Sequence, residues 1–471
     1  MHGIRARLGR AGMVVLAGAL LSALASCGQG AAPTGGPTPV IVDTDMSSDD
    51  IMALCYLLER PDISVQAITV EGTGVAHGPS GARNVLRLLR ALGIHHAIPV
   101  GYGQPSPLAG RQAFPSAWRN GADGMYHLNL PAWPGPQPSE SAVRLLIATI
   151  SGSARPVKLI TLGPFTDIAL ALRADPGIAD KIAMIYAMAG AVRVNGNEPK
   201  YANAEWNVYV DAAAASRVLR SGIPMTFIPL DATNNVPVTT FVQQTVQAHP
   251  RTPALRIVGT MLRDPYYTDT LSPGYFWDPL AAVAATDQQA VQFQAARLVI
   301  STGPGADLGI TRVSPAGSPV RLAMSANGPA FERQFLATLN GGQPLPVLAV
   351  PASRQLAVSY DGHDYAYRGP RTAGAGQVEI RLANRSATPF DGFSLVIGKL
   401  AAGRTLSDVQ AVIRADAAPN APLWFQVTAT LPAASGANPA WGVGLTPGRY
   451  ALVCMLERSG VLYALTELTV G

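Results

Sequence analysis

Four carboxylates crowd into eight positions where Pro39-Val40-Ile41-Val42 runs into Asp43-Thr44-Asp45-Met46-Ser47-Ser48-Asp49-Asp50. Side chains of this kind offer only oxygen, the donor that hard divalent cations take; Ca²⁺ accepts several carboxylate and carbonyl oxygens at about 2.3–2.6 Å. Without a cation, four like charges in a partly buried crevice repel one another at a cost that solvent alone does not offset. Ser47, Ser48 and Asp49 also suit a helix cap, because Ser and Asp accept hydrogen bonds from the orphan amides of a first turn. A cap, however, needs one carboxylate, not four.

The elements that must hold these acids follow from the flanking pattern. The apolar run before them reads as a buried parallel strand, and Ile51-Met52-Ala53-Leu54-Cys55-Tyr56-Leu57-Leu58 continues as a helix. Acids at the C-terminal edge of such a strand stand where open α/β sheets place their ligand sites. From Val40 to about Asn340, short apolar runs alternate with helical ones. Strands are expected at Ile63–Val70, Ile98–Gly101, Val157–Leu162, Ile182–Met188 and Met225–Leu230. Helices are expected at Asp49–Glu59, Ser80–Leu92, Glu140–Ser151, Thr166–Arg173, Asp211–Ser221, Thr240–His249 and Pro279–Thr286. This alternation implies βαβ units, right-handed crossovers and a mostly parallel open sheet flanked by helices, an α/β class. Gly103 to Pro138, rich in Gly, Pro and Trp, is long for a connection, and loops of that length commonly cover a site.

Around Gly341-Gly342-Gln343-Pro344 the texture changes. Strand-like runs at Gln355–Tyr360, Gln377–Leu382, Phe393–Ile397, Trp424–Thr430, Tyr450–Leu456 and Val461–Val470 suggest a small antiparallel sandwich. Leu445 to Cys454 resembles the closing strands of a cupredoxin-like sandwich. Blue copper needs two His and a Cys, and only His363 and Cys454 are present there, so no copper is expected.

At the other end, Arg5, Arg7 and Arg10 precede an apolar run from Met13 to Ala25, too short to span a bilayer permanently. Leu24-Ala25-Ser26-Cys27 resembles a bacterial lipoprotein signal, which implies cleavage before Cys27, lipid on its thiol and an extracytoplasmic, membrane-anchored place in the cell envelope. The expected layout is a signal over 1–27, a flexible linker over 28–38, an α/β domain over 39–342 and an accessory β-sandwich over 347–471. Cys55 and Cys454 fall in different expected domains and read as buried small hydrophobes rather than a disulfide. No CxxC or Cys/His cluster supports zinc. The net charge of +5 is not gathered into basic runs, so no nucleic-acid partner is expected.

Four motifs, in order, resemble the inosine-uridine-preferring nucleoside hydrolase family. Asp43 to Asp50 looks like its DxDPGxDD signature, and Thr161-Leu162-Gly163-Pro164-Phe165-Thr166-Asp167-Ile168-Ala169 like its GPLTNLA segment. Met188-Ala189-Gly190-Ala191, Asn195-Gly196-Asn197 and Ala204-Glu205-Trp206-Asn207 resemble its MGG, GN and AEFN block, and Tyr275 to Ala281 its HDPLA element. The resemblance covers Pro39 to about Asn340. It implies Ca²⁺ held by Asp45, Asp50, Asp278 and the backbone carbonyl of Leu162, with Asp45 also the general base and Asp43 an acceptor that orients the loop. It further implies a ribose clamp of Asp49, Asn197, Glu205 and Asn207, with Met188 lining the pocket.

Several positions depart from the family pattern. Met46-Ser47 replaces Pro-Gly, Thr73 stands where an Asn touches ribose, and Asn120 stands for a His, although Gly121, Asp123 and Gly124 remain. Trp277 replaces a His that protonates the departing base. Indole is no acid at neutral pH, but Trp277 and Trp206 can stack on a base. The leaving group then needs a solvent proton, a Tyr such as Tyr266, Tyr267 or Tyr275, or a good intrinsic leaving ability, and His77 lies in the loop after the second strand. The expected activity is Ca²⁺-dependent cleavage of the N-glycosidic bond of a ribonucleoside or related ribosyl compound, compatible with a homo-oligomer. A nucleoside- or sugar-binding envelope lipoprotein without catalysis, and an adhesive role for the sandwich, are the other readings.

Overall fold

Val40, Ile41 and Val42 are wholly buried, which makes their strand the middle of a sheet. The computed structural model describes residues 36–94, 96–138, 140–200, 203–268, 274–345, 350–386, 392–414, 422–433, 439–456 and 461–471. Cys27 and the signal expected around it lie outside the described residues, and no described helix is long and apolar enough to cross a membrane. Ten strands build the main sheet: β1 (Thr38–Thr44), β2 (Ile63–Val70), β3 (Val100–Tyr102), β4 (Glu140–Ser141), β5 (Val157–Thr161), β6 (Ile182–Met188), β7 (Met225–Ile228), β8 (Val291–Ile300), β9 (Thr311–Val313) and β10 (Ser318–Ala326). Their spatial order is β4-β3-β2-β1-β5-β6-β7-β10-β8-β9, parallel throughout except at β8 and β9.

Pleating turns Val40 and Val42 to one face, among residues of the helices Ser48–Leu58 and Trp277–Thr286, and Ile41 to the other, with Leu145, Phe165 and Ile168. A strand covered on both faces is a continuous apolar run, which is how this one reads in the sequence. From β1 the chain builds outward through β2, β3 and β4, then returns to the other side of β1 with β5 and continues outward. Where the order reverses, the loops leaving the C-terminal strand ends part and open a crevice. Asp43 pairs in register with Thr161. The acidic loop and Leu162 therefore leave the sheet side by side.

The expected strands Ile63–Val70 and Ile182–Met188 form as read. The third strand is Val100–Tyr102 instead of Ile98–Gly101, and Met225–Ile228 stops early because Leu230–Thr233 turns into a short helix. The helix expected from Pro279 begins at Trp277, with Pro279 in the first turn, where its missing N–H leaves nothing unsatisfied. The helices Pro253–Met261 and Gly328–Leu339 and the strands β8 to β10 were not anticipated.

The long Gly103–Pro138 connection contains a helix, Ser116–Asp123, followed by Met125, Tyr126 and His127, all with left-handed backbone (φ 57°, 48° and 62°). Three such residues in succession cost roughly 1–2 kcal/mol each. Met125 is buried, so the turn is held against the core. His77 anchors the helix from outside: its amide donates to Asp123 Oδ1 at 2.9 Å and its Nδ1 lies 2.6 Å from Asp123 Oδ2.

The remaining strands are β11 (Gln355–Tyr360), β12 (Tyr365–Arg368), β13 (Thr372–Ala373), β14 (Gly376–Asn384), β15 (Phe393–Leu400), β16 (Phe425–Ala433), β17 (Ala440–Leu445), β18 (Gly448–Leu456) and β19 (Leu462–Val470). They form a four-stranded sheet, β12-β11-β14-β17, against a five-stranded one, β13-β19-β18-β15-β16. Leu395, Trp441 and Tyr450 are part of the core they share. The sandwich is not purely antiparallel as expected. After β12 the chain visits the opposite sheet at β13 before β14 returns, so β11 and β14 run parallel, as do β13 and β19. Thr38–Gly471 form one compact unit. Trp441 fills the space left by Gly328, where a Cβ would stand 2.1 Å from the ring, and Gly442 lies against Phe241. Cys55 and Cys454 are both buried free thiols.

Glu332, on the helix Gly328–Leu339, is buried with one hydrogen bond, from Thr239 Oγ1 at 3.3 Å. Burial pushes its carboxyl from 4.5 up to about 8. The folded chain therefore binds this proton more tightly than the unfolded one. Its contribution is complete below the unfolded value and is lost as pH rises through the folded one. Glu332→Gln should remove that loss, so the wild type should fall relative to the variant by up to about 1.4 kcal/mol per pH unit between roughly pH 5 and 8 in urea melts. Parallel pH profiles would contradict the burial argument. His127→Gly, at an exposed position, should relieve left-handed strain and raise stability by about 0.5–1 kcal/mol. An unchanged or lower melting temperature would show that the turn carries no such strain.

Candidate active site

The loop after β1 is folded by its own polar groups. Asp50 Oδ1 accepts from the Asp45 amide at 3.0 Å and from the Thr44 hydroxyl, and Asp50 Oδ2 accepts from the Ser47 amide at 3.1 Å. Ser47 caps the helix Ser48–Leu58 in a reciprocal capping box with Asp50. Met46, in place of the usual Pro, takes a left-handed backbone (φ 58°) with its side chain buried. Two glycines let Asp45 into the sheet edge: a Cβ on Gly74 would stand 2.1 Å from Asp45 Cβ, and one on Gly163 would stand 2.7 Å away.

Across the crevice, the helix Trp277–Thr286 carries Asp278 in its first turn. Carboxylate oxygens of Asp49, Asp50 and Asp278 lie within 4.8 Å of one another, all buried. Asp45 adjoins them, because Asp50 is the charge acting most strongly on it. The compact trio thus contains Asp49, which the sequence reading assigned to ribose. Burial first, then Asp50, pushes the Asp45 carboxyl well above its usual range and Asp49 up to about 6. Burial and Asp49 do the same to Asp278. Four buried carboxylates, the nearby Leu162 carbonyl and the absence of Cys or His from the trio fit a hard divalent cation, which would restore their ionised forms.

The Leu162 carbonyl accepts from Asn207 Nδ2 at 3.0 Å, and the same amide donates to the Met188 carbonyl at 3.0 Å. Asn207 thereby ties the C-terminal ends of β5 and β6 together. Glu205 caps the helix Trp206–Val210: its oxygens accept from the amides of Asn207, Val208 and Gly190 at 2.8, 3.2 and 2.9 Å. Asn197 Oδ1 accepts from the Trp206 amide at 3.1 Å. These expected ribose partners all line the crevice, yet much of their hydrogen bonding goes to the backbone. Burial pushes the Glu205 carboxyl up to about 7 against those amides.

The crevice holds about 650 Å³, and its lining unites Asp45, Asp49, Leu162, Met188, Asn197, Glu205, Trp206, Asn207, Trp277 and Asp278. Phe114, Trp118 and Tyr126, from the long connection, close one side. Phe114 stacks on Trp206 at 5.3 Å, and Trp118 meets the same indole edge-on at 5.3 Å. Trp277 sits beside Tyr275 at 5.6 Å and Tyr266 at 6.1 Å. The sequence marked that connection as a cover, and three of its aromatics line the crevice: Phe114 before the helix Ser116–Asp123, Trp118 on it, and Tyr126 in the left-handed turn after it.

The remaining expected residues divide. Tyr267 shares a hydrogen bond with Ser48 Oγ at 2.7 Å. Burial and nearby Asp49 raise both Tyr266 and Tyr267 further from neutrality, so neither is a ready acid. His77 turns outward, 52% exposed, as Asp123's partner. Thr73 is buried behind the crevice, bonded to Thr166 Oγ1 at 2.9 Å and to Glu71 at 3.2 Å, and Asn120 is not part of the lining. Asp43 also stands behind it, accepting from Thr69 Oγ1 at 2.6 Å. Glu71 and Asp167, which sequence reasoning passed over, form with Asp43 a second buried acidic trio. Burial pushes Asp43 up to about 7 and the other two well above their usual range.

Comparison with known proteins matches residues 40–333 to the family described as inosine-uridine preferring nucleoside hydrolase. The pyrimidine-specific ribonucleoside hydrolase RihA of Salmonella enteritidis PT4 is 38% identical over 203 residues, 42% of this chain and 62% of that protein. RihA of Salmonella typhimurium LT2 is 37% identical over the same shares. The matched region thus spans 62% of the length of these curated relatives. Among solved structures, the purine-preferring ribonucleoside hydrolase from Gardnerella vaginalis is 27% identical (TM-score 0.57), covering 64% of this chain and 98% of that one. The inosine-uridine preferring nucleoside hydrolase from Bacillus anthracis, 23% identical, shares the fold (TM-score 0.55; 64% and 99% covered). With a single family match running from β1 to the helix Gly328–Leu339, across the whole acidic crevice, the chain belongs to the inosine-uridine preferring nucleoside hydrolases.

Proposed function

We propose that the chain hydrolyses the N-glycosidic bond of ribonucleosides or related ribosyl compounds, with Ca²⁺ held by Asp45, Asp50, Asp278 and the Leu162 carbonyl. The observation that carries this reading is the convergence of Asp45, Asp49 and Asp278 on one crevice with Asn207 and Leu162, with the buried Asp50 carboxylate within reach of Asp49 and Asp278. Family membership and the names of relatives acting on purine or pyrimidine ribonucleosides support the reaction class without choosing a base. A signal ending at Cys27 adds lipid anchoring in the bacterial envelope to the proposal.

Bound there, the cation supplies an oriented water of lowered pKa. Asp45 takes the proton of the attacking water, and its buried position keeps it basic. Asp49 and Asn207 orient the sugar hydroxyls, since a carboxylate and an amide suit vicinal diols that donate and accept. Glu205 acts mainly by fixing the helix that carries Trp206 and Asn207. The aromatic walls hold the base and exclude water as C1′ develops positive charge. A non-catalytic nucleoside- or sugar-binding lipoprotein is the second reading. It is favoured by one observation: the crevice is lined by Trp277 where the family pattern has its proton-donating His, and indole supplies no proton.

Elemental analysis of the purified chain should find one calcium, lost in Asp50→Ala or Asp278→Ala while circular dichroism stays native. Stoichiometric zinc, or no metal, would overturn the assignment. Free-ribose assays on mixed nucleosides with Ca²⁺ should give turnover that drops at least ~10³-fold in Asp45→Asn while riboside binding survives. Binding without ribose release in the wild type would select the second reading.

A further inference from the structure

Among the 25 residues lining the crevice there is no Lys, Arg or His, while Asp45, Asp49, Glu205, Asp264 and Asp278 are all present. One divalent cation leaves that set negative. Arg119, on the cover helix but outside the lining, donates to the Gly72 carbonyl at 3.2 Å, and its charge is divided between Asp123 and Asp45. The rest of the wall is π-surface, in two groups: Trp206 with Phe114 and Trp118, and Trp277 with Tyr266 and Tyr275. Trp118 and Tyr266 keep 46% and 47% of their surface exposed, so these faces are open to a ligand. Aromatic faces in a negative, partly desolvated cleft are the arrangement that binds organic cations. They also offer a 5′-phosphate no Lys, Arg or His among the described lining residues.

Building on the N-ribohydrolase reading, we propose that the preferred substrates are ribosides whose aglycone carries a permanent positive charge on its ring, of the pyridinium or N-alkylated purine kind. Chemistry points the same way as recognition. A neutral base leaves as an anion and needs a proton, yet Trp277 supplies none. With a cationic aglycone, the C1′–N bond breaks with its electron pair going to the ring nitrogen, which becomes neutral. Water oxygen bonds C1′, and the displaced proton passes to Asp45 and then to solvent. The products are ribose, a neutral heterocycle and one proton. No general acid is required, and the loss of its contribution costs such substrates nothing.

The test compares the Ca²⁺-loaded full chain on N-ribosylnicotinamide, inosine and uridine, with ribose release as readout. kcat/KM for the pyridinium riboside should exceed the other two by about a hundredfold or more, the factor a missing acid withholds from neutral bases. A binding arm uses tryptophan quenching: the ring-methylated cation 1-methylnicotinamide should bind about tenfold tighter than neutral nicotinamide, and Trp277→Leu or Trp118→Leu should shrink that ratio, not merely weaken both. Inosine or uridine turned over as well as the pyridinium riboside would overturn the proposal and leave the hydrolase reading intact. No turnover of any riboside would overturn the hydrolase reading. The quenching ratio then decides cation recognition alone, and equal affinities would end it.

Discussion

Repulsion among buried carboxylates is the constraint under which this sheet edge is built. Asp49 and Asp50 sit in the first turn of one helix and Asp278 in the first turn of another. The two positive helix ends therefore face the same crowd of negative charge. Backbone amides of Asp45 and Ser47 add donors to Asp50. These partial charges hold the loop in shape but fall short of neutralising four buried acids, which is why a cation fits the remainder. Gly74 and Gly163 are consequences of the same constraint: any side chain there would push Asp45 out of reach of its neighbours.

Behind the crevice the problem recurs in a drier form. Asp43 Oδ2 and both oxygens of Asp167 lack hydrogen-bond partners among the described residues, and Glu71 lies between them in character, accepting from the Asp167 amide at 3.0 Å. With no positive group among the three, holding their protons is the least costly state for these acids. The front trio faces an open crevice and the rear trio faces packed interior. Similar residue types thus stand open to the crevice in one place and are packed into the sheet edge in the other.

Much of this was legible in the chain. The apolar run before Asp43 gave a central strand because a doubly covered strand has no polar face to show, and the acids after it marked the crevice. Asp278 could be linked to them only through the motif resemblance, since nothing in local spacing brings residues so distant together. What local reading missed has physical reasons. Glu205 and Asn197 line the crevice as read, but the backbone amides that donate to them come from the fold and not from local pattern. Asp49 lies within reach of Asp50 and Asp278, a proximity between distant segments that local spacing does not encode. The sandwich's parallel pairings depend on where β13 crosses between sheets, which alternation patterns do not encode. Tyr126 reaches the crevice from within a left-handed turn that no propensity favours.

The helix Thr240–Ala248 touches both halves of the molecule. On one side Thr240 Oγ1 accepts from the Gly444 amide at 3.2 Å and Phe241 lies on Gly442; on the other, Gln243 Nε2 donates to the Tyr267 carbonyl at 2.8 Å. Tyr267 in turn holds Ser48, beside the acidic loop. The sandwich is therefore mortised into the wall of the crevice and cannot be detached like a tag. A chain cut between the halves would leave the slot over Gly328 and the face of Phe241 open to water, and the larger half would become the sticky one.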